Sequence, residues 1–315
     1  MGDQVVIQND GNTAVSVRNL TRHFGDFIAV DGIDLAVGKG EIFGFLGPNG
    51  AGKSTTIRML CGLLLPSGGK GEVGGFDIIT QSEEIKSAIG YMSQRFSLYD
   101  DLTVGENIDF FSGLYGVHGE RRHERKQWVL AMAGLADRRK ALTRTLPAGF
   151  KQRLALGCAI LHEPSILFLD EPTAGVDPVS RRDFWDLIHA LAQRGVTVFV
   201  TTHYLDEADY CDRLALIYRG RIIAEGTPKQ LRGSPLAKQV IEVEVAALVD
   251  AIDLLASHGV DAVIFGSRIH ATVEDAEAAI PAVRAMLAGA GIAVTRIERI
   301  IPSLEDVFVT MIKQS

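Results

Sequence analysis

Cysteine is scarce in this 315-residue chain, which contains Cys61, Cys158 and Cys211. Their spacing fits no metal-binding motif and favours a reducing compartment, with the thiols buried as small apolar groups. Apolar runs are also short, because none approaches the roughly 18 residues that a membrane-spanning helix requires. Residues 1–12 have no basic start followed by an apolar stretch, so we expect no signal peptide.

A basic excess is also missing, because the formal net charge is -7. Nucleic-acid-binding surfaces are normally basic, so this balance argues against DNA or RNA as a partner. Hydrophobic residues make up 47% of the chain and charged residues 23%, which is typical of a folded protein with a substantial core. At about 100 to 200 residues per domain, the length predicts about two domains.

The hydrophobic pattern of the first two thirds of the chain predicts an α/β fold. Residues 13–37 alternate as antiparallel strands do, and turn signals interrupt them. Short apolar runs of the buried, parallel type alternate with helical segments further on. The predicted strands are 42–46, 166–169 and 196–200, and the predicted helical segments are 54–65, 103–161 and 181–194.

The last third of the chain has a different pattern. Gly, Ser and Pro cluster at residues 232–235, where we place the boundary between domains 14–232 and 236–315. Beyond it the order βαββαβ predicts a small ferredoxin-like α+β domain. Its predicted elements are 241–245, 247–258, 260–265, 268–273, 276–287 and 292–297.

A glycine-rich loop separates the first buried strand from its following helix. It matches the phosphate-binding pattern G-x-x-x-x-G-K-[ST], whose glycines let backbone N–H groups turn toward phosphate oxygens. The helix adds unpaired N–H groups and the positive end of its dipole. Lys53 would reach the β- and γ-phosphates of ATP, and Ser54 would ligate Mg²⁺. The loop consists of Gly47, Pro48, Asn49, Gly50, Ala51, Gly52, Lys53 and Ser54.

Two adjacent carboxylates, Asp170 and Glu171, follow the strand at 166–169. Asp170 suits a Mg²⁺ ligand, and Glu171 suits a base that polarises the attacking water. An acidic cap at the end of a strand is the alternative interpretation, and the phosphate-binding loop makes the catalytic one preferable.

These motifs, in this order, resemble the ABC ATPase family over about residues 14–230. The resemblance implies an ABC-type P-loop core with an antiparallel β region, a helical subdomain, and ATP and Mg²⁺ as ligands. Outside this family, Phe24 would be a core aromatic, Gln94 a loop residue and His203 a structural histidine. Within it, Phe24 stacks on adenine, Thr55 ends the Walker A motif, Gln94 contacts Mg²⁺ and the γ-phosphate, Asp177 lies in the D-loop, and His203 holds the γ-phosphate.

The signature motif departs from the family pattern, which usually begins Leu-Ser-Gly-Gly. Here it reads Leu146-Pro147-Ala148-Gly149, so the serine hydroxyl that meets the nucleotide of the opposite subunit is missing. Backbone N–H groups at Ala148 and Gly149 would still bind an anion. The change puts the rate of hydrolysis and the symmetry of the dimer in doubt more than ATP binding.

The C-terminal residues 302–308 resemble the tail of bacterial ABC-2-type exporter ATPases, which serve drug, antibiotic and ion efflux. The resemblance implies an ATPase that is a peripheral protein at the cytoplasmic face of the inner membrane. Its partners would be a separate ABC-2-type permease and a second cassette, identical or related. A regulatory cassette with little turnover and a soluble, non-transport ABC ATPase are the alternatives. The sequence leaves open the transported substrate and the role of the C-terminal accessory domain.

Overall fold

The computed structural model of the protein describes residues 12–94, 98–233 and 238–314. The chain divides into two compact units between Glu225 and Gly226. The helices and strands of the first unit are β1 (Thr13–Phe24), β2 (Phe27–Gly38), β3 (Ile42–Leu46), α1 (Lys53–Leu60), β4 (Gly68–Val73), β5 (Phe76–Asp77), α2 (Ser82–Ala88), β6 (Ile89–Met92), α3 (Val104–Leu114), α4 (Gly119–Met132), α5 (Ala148–Ala159), β7 (Ile166–Asp170), α6 (Pro178–Ala192), β8 (Thr197–Thr202), β9 (Arg213–Tyr218) and β10 (Arg221–Gly226).

The central sheet of this unit has the strand order β10-β9-β3-β8-β7-β6. Strands β9, β3, β8, β7 and β6 pair in parallel, and β3, β7 and β8 are buried along their whole length. Phe199 packs between Phe43, Phe45 and Phe168, with ring centroids 5.5 to 5.6 Å apart. Because parallel strands end at one edge, the loops after β3, β6, β7 and β8 converge there.

A second, antiparallel sheet of order β2-β1-β4-β5 lies in the same unit, as the alternation of residues 13–37 predicts. Helices α3, α4 and α5 form a separate helical cluster whose core includes Ile108, Leu130 and Leu154. A capping box of Thr103 and Glu106 begins α3, because each residue's side chain accepts from the other's backbone N–H.

The end of α1 and the start of α6 differ by three or more residues from the boundaries that the sequence predicts. Helix α1 ends at Leu60, because Gly62 adopts a left-handed φ of 66° and the N–H groups of Leu63 and Leu64 turn back to Arg58 O. Helix α6 begins earlier than expected, at Pro178. The carboxylate of Asp177 accepts from the N–H groups of Val179 and Ser180 and caps it there.

The elements of the second unit are α7 (Pro228–Arg232), β11 (Gln239–Val245), α8 (Leu248–Ser257), β12 (Asp261–Phe265), β13 (Arg268–Val273), α9 (Ala276–Gly289), β14 (Val294–Ile300) and α10 (Leu304–Gln314). Its four strands form an antiparallel sheet of order β12-β13-β11-β14, on which α8 and α9 pack. This confirms the predicted ferredoxin-like order. The predicted division into domains 14–232 and 236–315 stays a prediction, since residues 234–237 lie outside the described part.

Within the described ranges, no helix combines the length and the apolar character needed to cross a membrane.

Candidate nucleotide-binding site

The phosphate-binding loop follows β3 and leads into α1. Gly52 has a φ of 110°, which residues other than glycine rarely adopt, and a Cβ there would lie against Ala29 O. Lys53 is the first residue of α1, so the first N–H groups of the helix stand at the end of the loop without helical partners. The loop therefore has the backbone shape that the sequence pattern predicts for an anion cradle.

Lys53 occupies the middle of this cradle. Its Nζ donates to Gly47 O at 2.7 Å and to Pro48 O at 3.1 Å. It also lies 3.1 Å from Glu171 Oε1, and both side chains are buried. The ammonium group is thus held by two carbonyl oxygens and one carboxylate.

Asp170 ends β7 beside the first turn of α1. Ser54 Oγ donates to Asp170 Oδ1 at 3.0 Å, and Thr201 Oγ1 donates to the same oxygen at 2.7 Å. Burial raises the pKa of Asp170, and the two hydroxyl donors oppose that rise. A hydroxyl and a carboxylate side by side are oxygen ligands of the kind that Mg²⁺ takes together with phosphate. These two residues fit the predicted metal ligands.

Glu171 brings the predicted catalytic residues together. Gln94 Nε2 donates to Glu171 Oε2 at 3.0 Å, and His203 Nδ1 lies 3.1 Å from the same oxygen. The backbone of Glu171 is left-handed, with a φ of 48°. Its N–H is shared between the carbonyl and hydroxyl oxygens of Thr201, at 3.0 Å each, which stabilises that conformation.

A cleft of about 330 Å³ lies beside these groups. Phe27 lines the cleft, whereas the predicted adenine-stacking residue Phe24 is not among the lining residues. Phe24 pairs across the β1–β2 turn with Phe27, and Arg22 covers its ring at 4.6 Å. The residues that line the cleft are Phe27, Ala29, Asn49, Gly50, Gly52, Lys53, Ser54, Thr55, Gln94 and Glu171.

The signature and D-loop residues form a second group, away from the cleft lining. Ala148 and Gly149 begin α5, and Asp177 caps α6. A Cβ on Gly149 would lie 2.7 Å from Ser180 Oγ, so the first turns of the two helices touch there. The N–H of Ser180 lowers the pKa of Asp177. Ala148, Gly149 and Asp177 are not among the residues that line the cleft of their own chain.

Three further polar residues near the site escaped the sequence analysis. Thr201 supplies the hydroxyl shared by Asp170 and Glu171, and its position at the end of β8 was the available signal. Gln152 is buried on α5 and donates through Nε2 to Pro172 O. Glu207 is fully buried and accepts from Thr173 Oγ1 at 2.6 Å, a contact with no local sequence signature.

Known proteins with similar sequences include ATP-binding proteins named for multidrug transport and for daunorubicin resistance. The probable multidrug ABC transporter ATP-binding protein YbhF of Escherichia coli is 53% identical over 222 residues, which cover 70% of this chain. The match spans 38% of the length of YbhF. The daunorubicin resistance ATP-binding protein DrrA3 of Streptomyces coeruleorubidus is 36% identical over 300 residues, covering 94% of this chain and 95% of DrrA3.

Two solved structures have a fold similar to that of this chain. The cbiO1 subunit from Clostridium perfringens, part of an ABC transporter complex, has a TM-score of 0.65 at 27% identity, over 71% of this chain and 92% of that one. A dimeric, post-hydrolysis ATP-binding cassette bound to ADP and Pi has a TM-score of 0.61 at 27% identity, covering 68% of this chain and 98% of that one.

Two parts of the chain match known protein families. Residues 30–174 match the ABC transporter family. Residues 226–312 match the C-terminal domain of ATP-binding proteins similar to DrrA1-3. The chain belongs to the ABC transporter ATP-binding proteins, as the order of its motifs indicated.

Proposed function

We propose that this chain hydrolyses Mg-ATP to drive export of a small molecule or drug through a separate membrane permease of ABC-2 type. The observation that carries the proposal is the convergence on Glu171: Lys53, Gln94 and His203 all contact its carboxylate at the edge of one cleft. The names of the relatives, which refer to multidrug transport and daunorubicin resistance, support drug export as the process.

The chemistry follows from the exchange of partners at the cradle. Phosphate oxygens would replace Glu171 beside Lys53, which frees the carboxylate to accept a hydrogen bond from water. Gln94 and His203 already touch Glu171 Oε2, so they are placed to orient that water and the γ-phosphate. Mg²⁺, held by Ser54 and Asp170, would neutralise charge on the β- and γ-phosphates.

The working unit in this proposal is a dimer of cassettes, either identical or related. Ala148 and Gly149 do not meet the cleft of their own chain, so they would face the nucleotide of a second cassette. Pro147 brings no hydroxyl to that contact. The N–H groups at the start of α5 would therefore bind the opposite γ-phosphate, with help from the helix dipole.

Ala148→Asp tests this dimer in isolation from folding. An acidic residue in the first turn stabilises a helix, but here it would set a carboxylate against the opposite γ-phosphate. We expect at least a tenfold loss of ATPase rate with an unchanged or raised melting temperature, and with ATP still bound by the variant's own cradle. Unchanged activity would remove the start of α5 from the nucleotide site.

Mixing Ala148→Asp chains with Lys53→Ala chains distinguishes an identical partner from a related one. In a mixed homodimer one site keeps both an intact cradle and an intact α5, while the other site carries both defects. Activity above that of either variant alone would support a homodimer. A mixture as inactive as its components would mean that both sites must fire together or that the natural partner is a different chain.

The helical cluster offers a surface for the permease. Tyr99, Phe110 and Leu114 expose 48%, 43% and 65% of their area, and the rings of Tyr99 and Phe110 pack edge to face at 4.7 Å. Such apolar groups are typical of an interaction site. We assign this surface to a cytoplasmic segment of the permease, which would hold the chain at the inner face of the membrane.

A co-sedimentation experiment tests the transport assignment. The protein expressed with its permease should sediment with membranes, and the double variant Phe110→Ser, Leu114→Ser should stay in the supernatant while binding ATP normally. Leu65→Ser is the matched control, because Leu65 is similarly exposed, at 59%, elsewhere on the same unit. Sedimentation of the double variant at the level of the control would contradict the assigned surface.

A regulatory cassette with little turnover is the second candidate, and Pro147 favours it. Because Glu171 and its partners are complete, we place it second. Steady-state ATPase activity of the purified chain decides between them. A background rate in the natural chain, which Glu171→Gln does not lower further, would favour the regulatory cassette.

A further inference from the structure

The residues around His203 include a cation that none of the roles above uses. The ring of Tyr204, the next residue, lies 4.1 Å from the His203 ring. Tyr204 also contacts Arg181, whose guanidinium carbon lies 4.2 Å from the centre of the Tyr204 ring. Arg181, Tyr204, His203 and Glu171 thus form a continuous chain of contacts that ends at the carboxylate.

Arg181 also meets the segment that follows Tyr204. Its Nε lies 3.5 Å from Glu207 Oε1, and its Nη1 lies 3.5 Å from Asp206 Oδ2. The side chain of Glu207 is fully buried and is anchored on its other side by the hydroxyl of Thr173, two residues after Glu171. Arg181 itself is 19% exposed. These contacts bind the segment after His203 to the segment after Glu171.

The helix that carries Arg181 connects to the second group of site residues. Arg181 lies in the first turn of α6, one position after Ser180, and its backbone N–H donates to Asp177 O at 2.9 Å. Ser180 in turn touches Gly149 at the start of α5. Arg181 therefore lies on the helical turn that carries the Asp177 cap and contacts the start of α5.

We propose that Arg181 is a positioning residue for ATP hydrolysis, which holds His203 beside Glu171 by clamping Tyr204 and Glu207 against α6. This inference rests on the proposed roles of His203 and Glu171. A planar guanidinium can make both kinds of contact at once, because its face stacks on the ring of Tyr204 while its edge points to the carboxylates. A lysine would supply the charge without the stacking.

Steady-state kinetics test the clamp. Arg181→Gln should lower kcat about tenfold, because His203 would lose its fixed orientation, and should change the KM for Mg-ATP by less than about twofold. Arg181→Lys should recover part of that loss. The matched control is Arg182→Gln, which removes the same charge from the adjacent, exposed position of α6. Equal kinetics for Arg181→Gln and Arg182→Gln would overturn the proposal.

A double-mutant cycle separates positioning from a general effect on folding. If Arg181 acts through His203, the variant Arg181→Gln, His203→Ala should be no slower than His203→Ala alone. Losses that multiply in the double variant would show that Arg181 acts independently of His203 and would also overturn the proposal. Failure of the proposed function has a different signature, because His203→Ala with a normal kcat would refute the role of His203 itself.

Discussion

Both units of the molecule bury a group of charged side chains, and the two groups differ in what surrounds them. In the first unit Lys53 and Glu171 pair beside a cleft lined by backbone N–H groups and polar side chains. In the second unit His270 lies 3.1 Å from Asp306 Oδ1 and 3.4 Å from Glu242 Oε2, and the ring of Phe265 stacks on it at 4.5 Å.

The second group is closed by its own fold. Asp306 accepts from both the N–H and the hydroxyl of Ser303, the residue before α10, while Glu242 pairs with Arg268 at 2.6 Å. Every charge there has a partner from the same unit, and β11, β13 and α10 are joined by it. Buried charge alone therefore does not identify a functional site. The functional site is identified by a buried charge that lies next to a cleft and whose partners a ligand can replace.

The largest effect that this comparison predicts follows removal of Lys53. Lys53→Ala deletes the main side-chain charge for the β- and γ-phosphates, so Mg-ATP affinity measured by calorimetry should fall by at least about 10²-fold. The exposed residue Lys140 provides the control, since Lys140→Ala should bind ATP as the natural chain does. Unchanged affinity of Lys53→Ala would make the pair with Glu171 merely structural, like the group around His270.

Glu171→Gln should affect turnover and spare binding. The amide keeps the shape and contacts of the side chain but cannot act as a base, so the ATPase rate should fall roughly 10²-fold. Calorimetry should give an ATP affinity no weaker than that of the natural chain. Glu124→Gln, on the exposed face of α4, controls for loss of a carboxylate. A normal rate for Glu171→Gln would reduce Glu171 to an acidic cap of β7.

Asp306→Ala should produce the opposite pattern in the second unit. It removes the acceptor for Ser303 and the partner of His270, so the free energy of unfolding of this unit should fall by about 2–3 kcal/mol. ATP affinity should stay within about twofold, since the change lies outside the cleft. Denaturant unfolding and calorimetry measure the two quantities. Asp275→Ala, which removes an exposed helix cap, should cost only about 1 kcal/mol.

Should Asp306→Ala weaken ATP binding tenfold while Asp275→Ala does not, the closed character of the group around His270 would be refuted. That group would then belong to the functional apparatus.

The smallest expected effect is a pH dependence at Glu207. Burial raises the pKa of Glu207 above the ordinary carboxyl value, so the folded state keeps this proton to a higher pH than the unfolded state. Ionisation of Glu207 therefore lowers the free energy of unfolding as pH rises, up to the folded pKa. Glu207→Gln does not titrate, so it should gain stability relative to the natural chain between pH 4 and pH 7.

Denaturant unfolding at both pH values measures that gain, with Glu124→Gln as the non-titrating control at an exposed site. A relative loss of stability for Glu207→Gln with rising pH would show that Arg181 favours the carboxylate more than burial disfavours it.

Local signals in the sequence predicted most of the fold and of the cradle. Short apolar runs marked β3, β7 and β8, and a run of loop residues between a strand and a helix marked the phosphate-binding loop. Helix ends were less predictable, since the stop at Leu60 depends on the backbone of Gly62. The pairing of Lys53 with Glu171 could not be predicted, because it depends on tertiary proximity between residues 118 positions apart in sequence.

The same limit applies to the contacts of Arg181. A single arginine near a helix start has many possible partners, and only the packing of α6 against the segment after β8 selects Tyr204 and Glu207. The sequence motifs of this chain contain residues proposed to contact the nucleotide, whereas no motif contains Arg181, which is proposed to act through a neighbouring side chain.

The contact between Gly149 and Ser180 has a consequence for evolution. A methyl group at position 149 would crowd the hydroxymethyl group of Ser180, so selection for helix packing alone is enough to retain glycine there. A descendant that had lost ATP turnover would still be expected to keep it. Pro147 is exposed and under no such steric restriction. In diverging lineages, a loss of ATP turnover would therefore be expected to change the residue at position 147 while position 149 stays glycine.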